Sequence, residues 1–228
     1  MVTTVTRTRL KQLWGPPLEQ WWKTLPDSDP ERHFKCGYIP TGTQCPACGK
    51  PLGPVLENPY SYQIDFLADD HMTCMGTGGE QGGKSHSSAM KLYQIIMGFL
   101  GEYAEQGKAA GEVAWLVADP YELTYQEFHN LEDWLKSSPF EVTASKRVDP
   151  GEIIVKVPGG VFVIKTRSAS DARTLRAESP IVVLLCEGAL ISFDAYERLI
   201  SRVARARKQF PGFGAIILSG TFEGSIGW

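Results

Sequence analysis

Residues Gly78 to Ser85 read G-G-E-Q-G-G-K-S, and their types and spacing suit one task above others, the holding of phosphate. Gly78, Gly79, Glu80, Gln81, Gly82, Gly83, Lys84 and Ser85 fit the pattern G-x-x-x-x-G-K-[ST] without a mismatch. Glycines let backbone N–H groups approach an anion with no Cβ in the way. Lys84 supplies a compact positive charge for β- and γ-phosphates, and the Ser85 hydroxyl is a hard oxygen ligand for Mg2+. A helix starting here adds the positive end of its dipole. The plainer alternative is a flexible glycine-rich turn. The flanks favour phosphate, and with it a nucleoside triphosphate. "HMTCM" (71–75) reads as a strand before the loop. After it, Ala89, Leu92, Tyr93, Ile96, Phe99, Leu100 and Tyr103 recur at helical spacing.

Hydrolysis needs a second acidic strand, ending in an Asp for Mg2+ and often a Glu that polarises the attacking water. "VVLLCEGA" is the candidate. Glu187 stands where the water-activating carboxylate belongs, and Cys186 stands where Asp is expected. A thiol is a poor ligand for a hard cation. Metal binding then rests on Ser85 and the phosphates, or a nearby Asp substitutes. The alternative is an ordinary core strand with Glu187 at its exposed end.

A separate cluster has metal-ligand spacing. His33-x-x-Cys36-Gly37 and Cys45-x-x-Cys48-Gly49 are two knuckles of like form. Four N/S ligands with no open position make a structural zinc site, Zn2+ stapling a segment with little core of its own; the alternative is free thiols. Cys74 falls in the first strand and reads as a small buried hydrophobe. Five cysteines in all, an odd number, argue against a disulfide framework.

These groups need a scaffold, and the pattern supplies one. "EVAWLVA" (112–118) reads as a strand and "YQEFHNLEDWL" (125–135) as a helix. "EIIVKVPGGVFVIKT" (152–166) reads as a hairpin turning at Gly159-Gly160, and "PIVVLLCEGALI" (180–191) as a strand buried on both faces. A helix from Phe193 to Gln209 follows, with Ser192 as N-cap, and then a last strand, "GAIILSGT" (214–221). Residues 54–70 hold a linker and a helical start. Strands alternating with helices predict an α/β fold: a P-loop NTPase with a mainly parallel central sheet flanked by helices, preceded by a small zinc-ribbon-like element. The expected division is 1–53 for the N-terminal segment and 54–228 for the nucleotide-binding domain.

The chain has 228 residues, 43% of them hydrophobic, enough for one sizeable core. A net charge of −3 excludes a general polyanion binder but allows a local basic face. The helix "YERLISRVARARKQF" carries Arg198, Arg202, Arg205, Arg207 and Lys208, a solvated face or a sequence-independent contact with DNA phosphates or a neighbouring subunit. Trp14, Trp21 and Trp22 form either a packed helix or a docking surface. No apolar run approaches the ~20 residues that span a bilayer, and the N-terminus lacks the apolar core of a secretory signal. A soluble, intracellular protein with no membrane contact is expected.

Several stretches, in order, make the region from about 55 to 228 resemble the large terminase subunit, the viral ATPase that drives DNA into a procapsid. "NPYSYQIDFL" resembles the family's adenine-side glutamine motif, which implies Gln63 near the base. "GGEQGGKS" resembles its Walker A loop, and "KTRSASDARTLRAESP" followed by "VVLLCEGA" resembles the run to Walker B. "ILSGTFEGSIGW" is similar to its coupling motif, through Ser219, Gly220 and Thr221. Cys186, and Ala177 where the family often has Gly, are departures. The resemblance implies ATP and Mg2+ as ligands, and Ser219 and Thr221 as sensors of the γ-phosphate. It implies an arginine given in trans by a neighbouring subunit, a place that Arg176 occupies unless it is an ordinary surface arginine, with Arg167 and Arg173 as close competitors. The implied partners are double-stranded DNA, the portal protein, the small terminase subunit and further copies in a homo-oligomeric ring. The implied location is the cytoplasm of the infected host cell, at the procapsid portal. The family continues into a metal-dependent nuclease domain, for which this sequence leaves no room, so no nuclease activity is expected from it. Two rival readings stand beside this one: a non-catalytic nucleotide-binding module, and another P-loop nucleic-acid motor such as a helicase.

Overall fold

The apolar runs become the middle of a sheet. In a computed structural model, which describes residues 61–69, 71–78, 82–138, 140–146, 150–171, 174–176 and 178–221, the strands are β1 (Thr73–Thr77), β2 (Val113–Ala118), β3 (Val142–Lys146), β4 (Glu152–Val157), β5 (Gly160–Ser168), β6 (Val182–Leu185) and β7 (Ala215–Gly220). They form one seven-stranded sheet in the order β1-β7-β6-β2-β5-β4-β3. The run from β1 to β5 is parallel throughout; β4 and β3 extend it as antiparallel strands. Every residue of β2, β6 and β7 is buried, as parallel strands covered on both faces require. The zinc-ribbon segment and the proposed boundary at 53/54 lie outside the described residues.

Helices cover both faces. On one face lie α1 (Ser61–Ala68), α2 (Lys84–Tyr103) and α3 (Tyr125–Lys136), sharing a core with Ala114, Leu116, Val182, Leu184 and Ile217. On the other lies α4 (Phe193–Gln209), whose Leu199 and Val203 pack on Trp115, Val183, Leu185 and Ile216. The alternation along β6 matters below: 182, 184 and 186 face the α2 and α3 layer, 183 and 185 face α4. The Ser192 N-cap forms as expected, its hydroxyl accepting from Ala195 N–H at 3.3 Å.

The predicted stripe of α2 is buried throughout, but so are Met90, Lys91, Gln94, Ile95 and Met97, because neighbours press on the helix from more than one side. Lys91 is 1% exposed, and its ammonium donates to the carbonyls of Leu67 and Asp69 at the end of α1. A cation placed there satisfies carbonyls that the helix leaves without partners.

Three departures from the sequence reading stand out. β1 starts two residues late, because Asp69 Oδ1 accepts from His71 N–H at 3.0 Å and holds the chain in a turn. The long run 180–191 is a strand only over Val182–Leu185; at Glu187 the backbone turns left-handed, and a short 3-10 turn covers Gly188–Leu190. β3 was not foreseen, since its polar residues at the sheet edge show no apolar alternation.

Candidate active site

Parallel strands deliver their C-terminal ends to one edge of the sheet, where α/β folds bind ligands. β1, β7 and β6 are neighbours, with Gly76 opposite Ser219 and Thr77 opposite Gly220. The loop after β1, the residues after β6 and the end of β7 therefore meet, although 137 positions separate Lys84 from Thr221.

Lys84 is the centre of the meeting. Its Nζ donates to Gly78 O at 2.8 Å and to Thr221 Oγ1 at 2.6 Å. Thr221 N–H in turn donates to Glu187 Oε2 at 3.2 Å. Three residues picked from separate stretches of sequence thus form one chain of contacts: lysine, hydroxyl and backbone amide, carboxylate. Glu187 is held at φ 49°, ψ 55°, the only non-glycine residue with positive φ among the described residues. Such a conformation costs energy and recurs where a side chain must be aimed. Gly220 beside it has little spare room: a Cβ there would lie 3.2 Å from Gly188 N and 3.4 Å from Glu187 Oε2.

The far end of the loop is tied to α1. Gly83, at φ 72°, precedes the first residue of α2, and a Cβ on it would lie 2.7 Å from Gln63 Nε2. Gln63 is buried, donating to Ser87 Oγ at 2.9 Å, and that hydroxyl donates to Gly83 O at 3.0 Å. Gly79, Glu80 and Gln81 lie outside the described residues; Gly82 and Gly83 lead into the helix. Ser219 is buried at the end of β7.

Other sequence-picked residues fare differently. Arg176 is exposed on a short 3-10 turn, anchored by the buried Leu175 under α4. Arg167 is committed within the chain: it pairs with Glu178 at 2.9 Å and stacks 5.5 Å over the Trp115 ring. Arg173 lies outside the described residues. On the basic helix, Arg198 pairs with Asp194, Arg205 with Glu112, and Arg207 donates to Gly214 O. Much of that charge is thus spent within the fold. His33, Cys36, Cys45 and Cys48 all lie outside the described residues.

Sequence reasoning missed Glu127. It sits in the first turn of α3 and is 3% exposed. Its carboxyl is hydrogen-bonded to the Ser85 side chain and lies close enough to Glu187 to feel its charge. Burial holds it above the usual carboxylate range, against its backbone and Ser85 hydrogen bonds, and Glu187 adds to the rise. A signal was present: Glu127 lies four residues before Leu131 and next to Phe128, at the rim of the apolar stripe Phe128-Leu131-Leu135. Cys186 is 1% exposed, and burial, with the charges of Glu127 and Glu187, pushes its thiol well up.

The fit for Mg2+ can be judged from these donors. Among the described residues no group of three or more His, Cys, Asp or Glu forms a protein-only metal cage. A metal that bridges phosphates needs no such cage, since it keeps waters and phosphate oxygens as ligands. The Ser85 hydroxyl and the carboxylates beside it are hard oxygen donors and suit it; the protonated Cys186 thiol does not.

No family model matches the sequence, and no curated protein does. Solved structures do resemble it. The large terminase ATPase domain of Thermus phage P74-26 superposes with a TM-score of 0.52 at 18% identity, over 74% of this chain and 67% of that one. A point variant of the same domain gives 0.51 at 18% identity, with the same coverage. The large terminase of bacteriophage HK97 reaches 0.49 at 16% identity, over 87% of this chain and 38% of its own, too distant to add weight. At these identities the likeness concerns architecture: the chain has the fold of a phage large terminase ATPase domain.

Proposed function

We propose that this chain is the ATPase of a viral DNA-packaging motor, coupling ATP hydrolysis to movement of double-stranded DNA into a procapsid. The observation that carries the reading is the contact chain from Lys84 through Thr221 to Glu187 at the C-terminal edge of the sheet. The loop amides and Lys84 bind the phosphates. Glu187, aimed by its left-handed backbone and by Thr221 N–H, orients a water and accepts its proton as the water attacks the γ-phosphorus and ADP departs. Mg2+ would be held by Ser85 and would neutralise charge on the phosphate oxygens. Thr221 touches both Lys84 and Glu187, so a change at the phosphates is felt at the end of β7. Gln63, packed against Gly83, would border the base. Arg176 is exposed, as an arginine given to a neighbouring subunit has to be. The portal protein, the small terminase subunit and a ring of copies are the proposed partners, and His33, Cys36, Cys45 and Cys48 the proposed structural zinc site.

The buried Cys186 thiol favours one second reading, a nucleotide-binding module with little turnover. Equilibrium binding of a fluorescent ATP analogue tests what both readings share. Lys84→Ala is expected to weaken binding at least about a hundredfold, the loss of a charge-assisted contact to phosphate. Unchanged affinity would remove the phosphate site from the account.

A further inference from the structure

The missing Walker B aspartate leaves a chemical gap. An Asp at 186 would place a carboxylate on the face of β6 that looks toward α2 and α3; Cys186 puts an uncharged thiol there. The same face receives a carboxylate from another element. Tyr125–Lys136 packs against α2 through Trp134, which makes edge contacts with His86 at 5.2 Å and with Tyr93 at 6.0 Å. That docking, with Phe128 and Leu131 in the core, drives Glu127 inward beside Ser85.

Three properties set Glu127 apart from a structural core carboxylate. It bonds the hydroxyl that would hold the metal. Its Oε2 is buried and has no hydrogen-bond partner among the described residues. It also stands near Glu187 with no cation paired to it among the described residues, an arrangement that costs folding energy. Glu132, on the same helix and equally buried, shows the ordinary solution: it is paired with Lys136 at 2.6 Å. A buried, unpartnered carboxylate oxygen next to a serine hydroxyl and a second carboxylate is what a divalent cation with hard-oxygen preference would complete.

We propose that Glu127 takes the place of the absent Walker B aspartate and holds the nucleotide-bound Mg2+, directly or through one of its waters. The inference rests on the nucleotide-binding reading above. The metal's charge would offset the repulsion that Glu187 exerts on Glu127. Cys186 is then tolerated because a carboxylate reaches the same space from α3 rather than from β6.

The test is the affinity of Mn2+ for the protein–ATPγS complex, followed by its electron paramagnetic resonance signal, with ATPγS affinity in EDTA measured alongside. Glu127→Gln keeps the size of the side chain and its bond to Ser85 but removes the charge. It is expected to weaken Mn2+ by about ten- to a hundredfold while ATPγS binding in EDTA stays within about twofold of wild type. Cys186→Asp added to it is expected to restore Mn2+ binding. Glu127→Asp, which retains charge at a shorter reach, serves if the glutamine variant does not fold, with weakening of the same sign expected. Wild-type Mn2+ affinity in folded Glu127→Gln would overturn the proposal, since a purely structural role survives that change. Failure of the wild-type protein to bind ATPγS with or without Mn2+ would instead overturn the nucleotide-binding reading, and this inference with it.

Discussion

At the scale of single residues, the site depends on small distances. Lys84, Thr221 and Glu187 were each visible in the sequence, Lys84 by motif, Glu187 as the carboxylate that ends an apolar run, and Thr221 by likeness to a family pattern. Their contact was not, because it arises from the sheet order β1-β7-β6, which sequence periodicity does not encode. Glu127 escaped for a related reason: a carboxylate in an amphipathic helix reads as solvated until the packing of that helix is known. The tight space at Gly220 gives a prediction. Gly220→Ala would press a methyl group on Glu187 Oε2 and Gly188 N. Turnover should fall about ten- to a hundredfold, as a displaced catalytic group costs, with ATP affinity little changed. Single-turnover hydrolysis beside equilibrium binding checks it, and an equal loss in both would show damage to the loop instead.

At the scale of elements, long apolar runs were the most legible and their ends the least. The core strands and Phe193–Gln209 with its Ser192 cap follow from composition and spacing. The end of β6 does not, because Glu187 adopts a backbone conformation its residue type disfavours. The buried Lys91 was read only as part of a helix, yet it joins two elements. Lys91→Met would keep the packing and leave the buried carbonyl of Leu67 and the partly buried one of Asp69 without this donor. A loss of about 1–3 kcal/mol is expected by denaturant unfolding, with α1 the first element to lose amide protection. A second element-scale contact is Glu178, which receives Lys165 at 2.5 Å and Arg167 at 2.9 Å from β5. Burial alone would raise its carboxyl, but the two cations outweigh it and hold the group below its ordinary 4.5. As pH falls the unfolded chain is therefore protonated first. The stabilisation is full above that ordinary value and is lost as pH drops through the lowered folded value. Glu178→Gln should cost about 1 kcal/mol at pH 7, and thermal melts should show a shallower acid decline than wild type, the two curves converging at low pH.

At the scale of the whole molecule, the architecture agrees with the expectation from alternating strands and helices: a mainly parallel sheet covered on both faces, with the glycine-rich segment following the edge strand β1. Among the described residues no helix is long and apolar enough to cross a membrane. Much of the charge on the basic helix is committed to Asp194, Glu112 and Gly214 O, so the proposed contact with DNA is better sought on another surface. If Arg176, which is exposed, completes a neighbour's site as proposed, a lone subunit is expected to hydrolyse slowly. The most direct test of the central claim is steady-state ATP hydrolysis with Mg2+ across a wide range of protein concentration, in wild type and in Glu187→Gln. Turnover per subunit is expected to rise with concentration, and Glu187→Gln to lose at least about a hundredfold with ATP still bound. Hydrolysis that is indifferent to Glu187, or absent at every concentration while ATP binds, would contradict it.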